Sequence, residues 1–139
     1  MKRIVVDTNV LISFLTDRDA EQQARAAGLF RSATDGEVNL VLHQAVIAEM
    51  VYVMQNLYKV DTVEIAGMID DLLCLDGIKT IEDVVWSRVL ELWPSKFGDF
   101  TDALLASAAV EVRYDSVATF DRRFVRQLQR TGLGVWQLD

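Results

Sequence analysis

The chain has 139 residues, 51% of them hydrophobic and 25% charged, with a formal net charge of −7, one Cys and one His. That length supports one domain with a substantial core, whereas a lone Cys74 and a lone His43 exclude a disulfide framework and a Cys/His zinc site. The overall acidity excludes a plain basic nucleic-acid binder, and no apolar stretch reaches the roughly 18 residues of a membrane span.

Elements follow one another with little ambiguity of type. "RIVVD" (3–7) is a β-branched run that predicts a buried strand. "NVLISFLT" starts a helix that Thr8 or Asn9 can cap. Residues 19–34 predict a helix with an acidic first turn, which suits its dipole. "VNLVLH" (38–43) predicts a second strand, 44–58 a strongly apolar helix and 62–75 an amphipathic one. "IKTI" (78–81) is a short strand, 82–93 a helix stopped by Pro94, and "SKFGDF" (95–100) a loop. An Ala-rich helix over 101–113, a strand over 116–120, a helix over 121–130 and a last strand over 134–138 complete the chain. There is no linker-like or repetitive tract, so residues 1–139 are expected to form a single domain. Lys2 and Arg3 precede an apolar run, but Asp7 breaks it too early for a signal peptide, so a cytoplasmic protein without membrane association is expected.

Strands alternating with helices predict a parallel sheet covered on both faces. Right-handed crossovers bring all strand C-termini to one edge, outside which ligands gather in such folds. Asp7 follows "IVV" and Asp121 follows "VATF", so both stand at that edge. Singly, each reads as a helix cap. Glu49 is different, because its helical neighbours are Ala45, Val46, Tyr52 and Val53 and no basic residue shares its face. A buried, unpartnered carboxylate costs several kcal/mol, so the expectation is that an Arg from another helix or a shared cation balances it. Asp102 opens the Ala-rich helix, where Leu105, Ala106 and Ala109 allow close packing on the sheet. Asp99 stands three residues earlier, and either acid can be the cap.

The charge is unevenly spread: residues 61–111 hold eleven acidic and three basic groups, and residues 112–139 three acidic and five basic. Two carboxylates about 4 Å apart repel by roughly 1 kcal/mol in water and about 4 at an effective dielectric of 20. A cluster of four therefore calls for protons or a cation, and all-oxygen donors suit Mg²⁺ or Mn²⁺. Such an ion would also attract phosphate to an acidic protein.

"IVVDTNVLI", "VIAEMVYVM", "FTDALLASAA" and "VATFDRRF", in this order and over essentially the whole chain, resemble the PIN-domain nucleases, and among these the VapC-type toxins of toxin–antitoxin pairs. The resemblance implies a three-layer α/β/α sandwich with a mostly parallel central sheet. It implies that Asp7, Glu49, Asp102 and Asp121 hold one or two Mg²⁺ or Mn²⁺ ions, supported by Asn9 and Thr119. It further implies RNA cleavage, a homodimer, and silencing by a cognate antitoxin whose tail enters the acidic groove. Asp121 is the least constant acid of that quartet in the family, and Asp99 is an extra one.

Arg122, Arg126 and Arg130 recur every four residues and form one helix face, either gripping RNA phosphates or ion-paired and solvated. Phe120, Phe124 and Leu128 form a core stripe. Trp86 and Trp93, seven apart, read as core or interface, His43 as a structural or ligating His near Glu49, and Lys96 as a phosphate contact. Two rival readings stand: a catalytically silent PIN-fold binding module, and a phospho-acceptor receiver domain. The latter wants an acceptor Asp after a middle strand and a late Lys. Here "LVLH" ends in His43 and "ATFD" has no Lys.

Overall fold

In the computed structural model, which describes residues 1–81, 83–111 and 113–138, the aliphatic runs pair as strands. These are β1 (Lys2–Val6), β2 (Val38–His43), β3 (Ile78–Ile81) and β4 (Ser116–Ala118). They make one wholly parallel sheet in the order β3-β2-β1-β4. Helices α1 (Thr8–Leu15) and α2 (Ala20–Thr34) join β1 to β2, and α3 (Gln44–Asn56) and α4 (Thr62–Cys74) join β2 to β3. Helices α5 (Trp86–Leu92) and α6 (Phe100–Glu111) lead to β4, and α7 (Arg122–Arg130) follows it.

The chain steps outward from β1 to β3, then returns to the far side of β1. Right-handed crossovers in opposite directions place α1–α4 on one face and α5–α6 on the other, giving the three-layer α/β/α sandwich. The direction of winding switches between β1 and β4, where such sheets open a crevice at their C-terminal edge. The core explains the strand composition. Ile4, Val5 and Val6 are all fully buried, so β1 is covered on both faces, and each such side chain contributes about 1.5–3 kcal/mol. On α6, Ala103–Ala109 are buried without interruption, as its small residues allow. Phe124 and Leu128 are fully buried and Phe120 packs beside them, as the stripe predicts. No helix among the described residues is long and apolar enough to cross a membrane.

Several expectations are corrected. Neither Thr8 nor Asn9 caps α1; Asp7 does, accepting from Thr8 N at 2.7 Å. The helix predicted over 82–93 begins only at Trp86, because Val84 and Val85 are β-branched and no side chain caps the turn; Glu82 lies outside the described residues. Helix α6 ends at Glu111, and Arg113 turns into the left-handed region (φ 56°) while Tyr114 N closes on Ala109 O at 2.9 Å; Val112 lies outside the described residues. Strand β4 stops at Ala118 rather than 120, because Thr119 and Phe120 turn toward Asp7 and Asn9. The predicted last strand is reduced to one bridge, Val117 to Val135. There the chain crosses β4 so closely that a Cβ on Gly134 would meet Asp115 O at 2.2 Å.

Candidate active site

The C-terminal ends of β1 and β4 deliver Asp7 and Thr119 side by side. Asp7 N extends the sheet ladder to Ala118 O (2.9 Å), which leaves its carboxylate beyond the strand end. Both residues are buried. The Thr119 hydroxyl donates to Asp7 Oδ2 at 2.7 Å and accepts from Asp121 N (3.0 Å) and Asn9 Nδ2 (3.2 Å). Asn9 also donates to Asp7 Oδ2 (3.3 Å), while its Oδ1 accepts from Phe120 N (3.1 Å). That pattern fixes the amide orientation, since only Nδ2 can donate and only Oδ1 can accept. Behind this network Arg18 Nη2 donates to Asn9 O (3.1 Å) and to Ser13 Oγ (3.0 Å).

In front of Asp7 lies a cavity of about 230 Å³ lined by Asp7, Thr8, Asn9, Glu49, Asp99, Thr101, Asp102, Asp121, Arg123 and Gln127. Each acid reaches it from a different element. Asp121 caps α7 by accepting from Arg123 N (2.9 Å) and Phe124 N (3.3 Å). Asp99 resolves the earlier ambiguity: it accepts from Asp102 N at 3.0 Å, so Asp99 is the cap of α6 and Asp102 sits in the first turn. Glu49 corrects another expectation. Its face of α3 is not buried: Glu49 is exposed and Tyr52, one turn on, is 67% exposed. The buried ion pair considered for Glu49 is therefore unnecessary, and its carboxyl faces the cavity.

The electrostatics follow from this crowding. Burial raises the Asp7 carboxyl to about 6, opposed by its bonds to Thr119 and Thr8 N and reinforced by Glu49 and Asp121. Burial, then the charges of Asp7, Asp99, Asp121 and Glu49, push Asp102 up to about 8. Glu49 is also raised, first by the partial burial of its carboxyl and then by Asp99, with the Thr8 and Thr101 hydroxyls nearby offsetting part of the rise. Thr8 nonetheless lacks a hydrogen bond of ordinary geometry, and its buried Oγ1 has no partner.

These features fit a hard divalent cation. The donors are all oxygens. Burial and the neighbouring carboxylates push Asp102 up to about 8, so a cation in the cavity would favour its ionised form, and a buried hydroxyl faces the cavity unpaired. Among the described residues, no three His, Cys, Asp or Glu side chains are already drawn together as a metal cage. The acids line a common space rather than a closed one.

Asp7, Asn9, Glu49, Asp99, Asp102 and Asp121 thus share one cavity, and Thr119 braces it from below. Arg122, Arg126 and Lys96 are exposed and do not line it. Arg123 and Gln127, which the sequence reasoning did not single out, do; they are one turn apart and share a helix face. Arg18, Thr8 and Thr101 were also missed, and the polar Thr8 directly after Asp7 was the available signal. His43 is buried and accepts from Ala45 N at 2.9 Å through Nδ1, and burial holds its pKa below the ordinary value. It caps α3 as a neutral structural His and faces a separate small cavity with Ile81 and Ser107. Trp93 packs on the core and donates to Gly98 O (3.2 Å), whereas Trp86 is 57% exposed.

A family model described as PIN domain matches residues 4–127. A curated VapC ribonuclease of Aquifex aeolicus is 26% identical over 121 residues, covering 86% of this chain and 88% of that protein. The crystal structure of Mycobacterium tuberculosis VapC20, described as a sarcin–ricin loop cleaving toxin, superposes with a TM-score of 0.70 at 16% identity. It covers 96% of this chain and 98% of that one, and establishes likeness of fold.

Proposed function

Because the chain belongs to the PIN domain family, we propose that it is a divalent-metal-dependent endoribonuclease and the toxin of a toxin–antitoxin pair. The observation that carries this reading is a cavity lined by five carboxylates, with a buried, doubly braced Asp7 at its floor. The similarity to a VapC ribonuclease supports RNA as the substrate. Residues 1–139 act as a single nuclease domain in the cytoplasm.

Asp7 and Asp102 would be the principal holders of Mg²⁺ or Mn²⁺, as one or two ions, with Glu49 and Asp121 completing or orienting the set and Asp99 at the rim. A divalent cation bound there supplies charge stabilisation at the phosphodiester and an acidified water. The chain itself supplies position. Thr119 and Asn9 hold the Asp7 carboxylate in one rotamer, and Arg18 steadies the backbone of Asn9. Asp7 and Thr8 are buried at the floor of the cavity, where charges are screened less than at the open surface. In-line attack by water would form a new P–O bond as the bond to the 3′-oxygen breaks, and the departing oxygen would take a proton from solvent, leaving a 5′-phosphate and a 3′-hydroxyl. The proton that the water sheds would pass to a rim carboxylate, and Glu49, which lines the cavity from α3, is the acceptor we assign.

A cognate antitoxin silences the enzyme by inserting its tail into the acidic groove. A homodimer is part of the same reading, on the likeness to a VapC ribonuclease. The test is RNA cleavage by the purified protein in Mg²⁺ or Mn²⁺ against chelator, beside Asp7→Asn. Loss of at least about 100-fold on removing either metal or carboxylate is expected. Equal cleavage by Asp7→Asn would remove the assignment.

A further inference from the structure

We propose that Arg123, with Gln127 one turn later, forms the wall of the cavity that holds the RNA backbone phosphate. This rests on the nuclease reading and deepens it. An RNA phosphate must approach a cavity bearing five carboxylates, so part of the wall has to favour an anion. Among the described residues, Arg123 is the cationic side chain that lines it. Among the described residues no ion pair takes up its charge. The ion pairs found among the described residues involve Arg25 and Arg88 only.

Its position is also set by the fold. Arg123 N donates to Asp121 Oδ1 at 2.9 Å, which ties its backbone to the acid beside it. The next residue, Phe124, is fully buried and meets Phe97 edge-on, with centroids 5.8 Å apart and planes at 82°. That contact clamps the loop before α6 against α7. The adjoining Gly98 then leaves room for the guanidinium, since a Cβ there would stand 3.3 Å from Arg123 Nη2. Gln127 adds an amide donor on the same face. The planar guanidinium fork matches two phosphate oxygens at once, and the amide can take the sugar or the next phosphate.

The experiment uses full-length protein carrying Asp7→Asn to silence cleavage, a fluorescein-labelled single-stranded RNA of mixed sequence, and anisotropy over a range of salt. Arg123→Ala is expected to weaken binding about tenfold and to make the slope of log K against log salt shallower by about 0.7. Arg123→Lys should keep the slope and restore only part of the affinity. Gln127→Ala should lose about two- to threefold. Lys79→Ala, on the edge strand farthest from β4, removes the same charge and should change binding by less than about twofold. In the cleaving background, Arg123→Ala should raise KM more than it lowers kcat, with divalent-metal affinity by calorimetry unchanged. Binding by Arg123→Ala within twofold of its parent at an unchanged slope would overturn the proposal, as would an equal loss in Lys79→Ala. If cleavage by the wild type is intact in either case, the nuclease reading survives. A wild type that neither binds nor cleaves RNA would remove both.

Discussion

Replacing Asp102 by Asn should stabilise the metal-free protein at neutral pH while abolishing its response to divalent cations. In the fold the Asp102 carboxyl titrates at about 8, against 3.8 for the free side chain. Between those values the folded state binds more protons than the unfolded one, so stability falls as pH rises through the window from about 4 to about 8. By pH 7 about three units of that window have been crossed, which corresponds to about 4 kcal/mol at 1.36 kcal/mol per unit. Asp102 is only partly buried, and solvent screening reduces this to about 1–2 kcal/mol. Asn preserves the shape and removes the charge. With about 3–4 °C per kcal/mol for a chain of this size, Tm in chelator should rise by about 3–8 °C at pH 7.5. The gain should vanish near pH 4, where the wild-type carboxyl is protonated in the fold. Millimolar Mn²⁺ should raise the wild-type Tm and leave Asp102→Asn nearly unmoved. Thermal unfolding followed by circular dichroism from pH 4 to 8 reads all of this. A variant less stable than wild type in chelator at pH 7.5, or one with the same pH dependence, would refute the reasoning.

Three further outcomes follow from the same geometry. Thr119→Val removes the 2.7 Å bond to Asp7 and the acceptor for Asp121 N, and urea unfolding in Mn²⁺ should show a loss of about 1.5–3 kcal/mol with weakened metal affinity. Metal binding at pH 6.5 should release protons from Asp102 and Asp7, seen by calorimetry as a heat that depends on the buffer's ionisation enthalpy, and Asp102→Asn should shrink that dependence. Gly134→Ala sets a methyl against Asp115 O, and chemical denaturation should register about 2–3 kcal/mol of destabilisation with metal binding intact.

The site was legible where chemistry and secondary structure meet locally. Asp7 ends a β-branched strand, Asp121 precedes a helix with a clear Phe124/Leu128 core stripe, and Asp102 opens a run of small residues. Each position is set by short-range pattern, and the structure brings all three to one cavity. Glu49 reached the same cavity for a different reason from the one the sequence offered. Its helix is apolar all round, which suggested burial, yet Tyr52 and Glu49 face outward. Apolar composition alone does not say which face a neighbour covers. The Arg wall was illegible for a related reason. Arg122, Arg126 and Arg130 make the longer stripe, but the roll of α7 about its axis is set by Phe124 meeting Phe97, a contact between distant segments. That roll turns Arg123 and Gln127 toward the cavity. The shortened α5 and the missing last strand reflect the same limit, since caps and close crossings at Val85 and Gly134 depend on tertiary neighbours.

The central claim is that the carboxylates around Asp7 hold a divalent cation for RNA cleavage. Anomalous diffraction from crystals soaked in Mn²⁺ tests it most directly. A peak is expected inside the cavity, bonded to Asp7 and Asp102 oxygens and absent in Asp7→Asn crystals. A protein that cleaves RNA in Mn²⁺ yet shows no peak there, or binds the ion elsewhere, would contradict it.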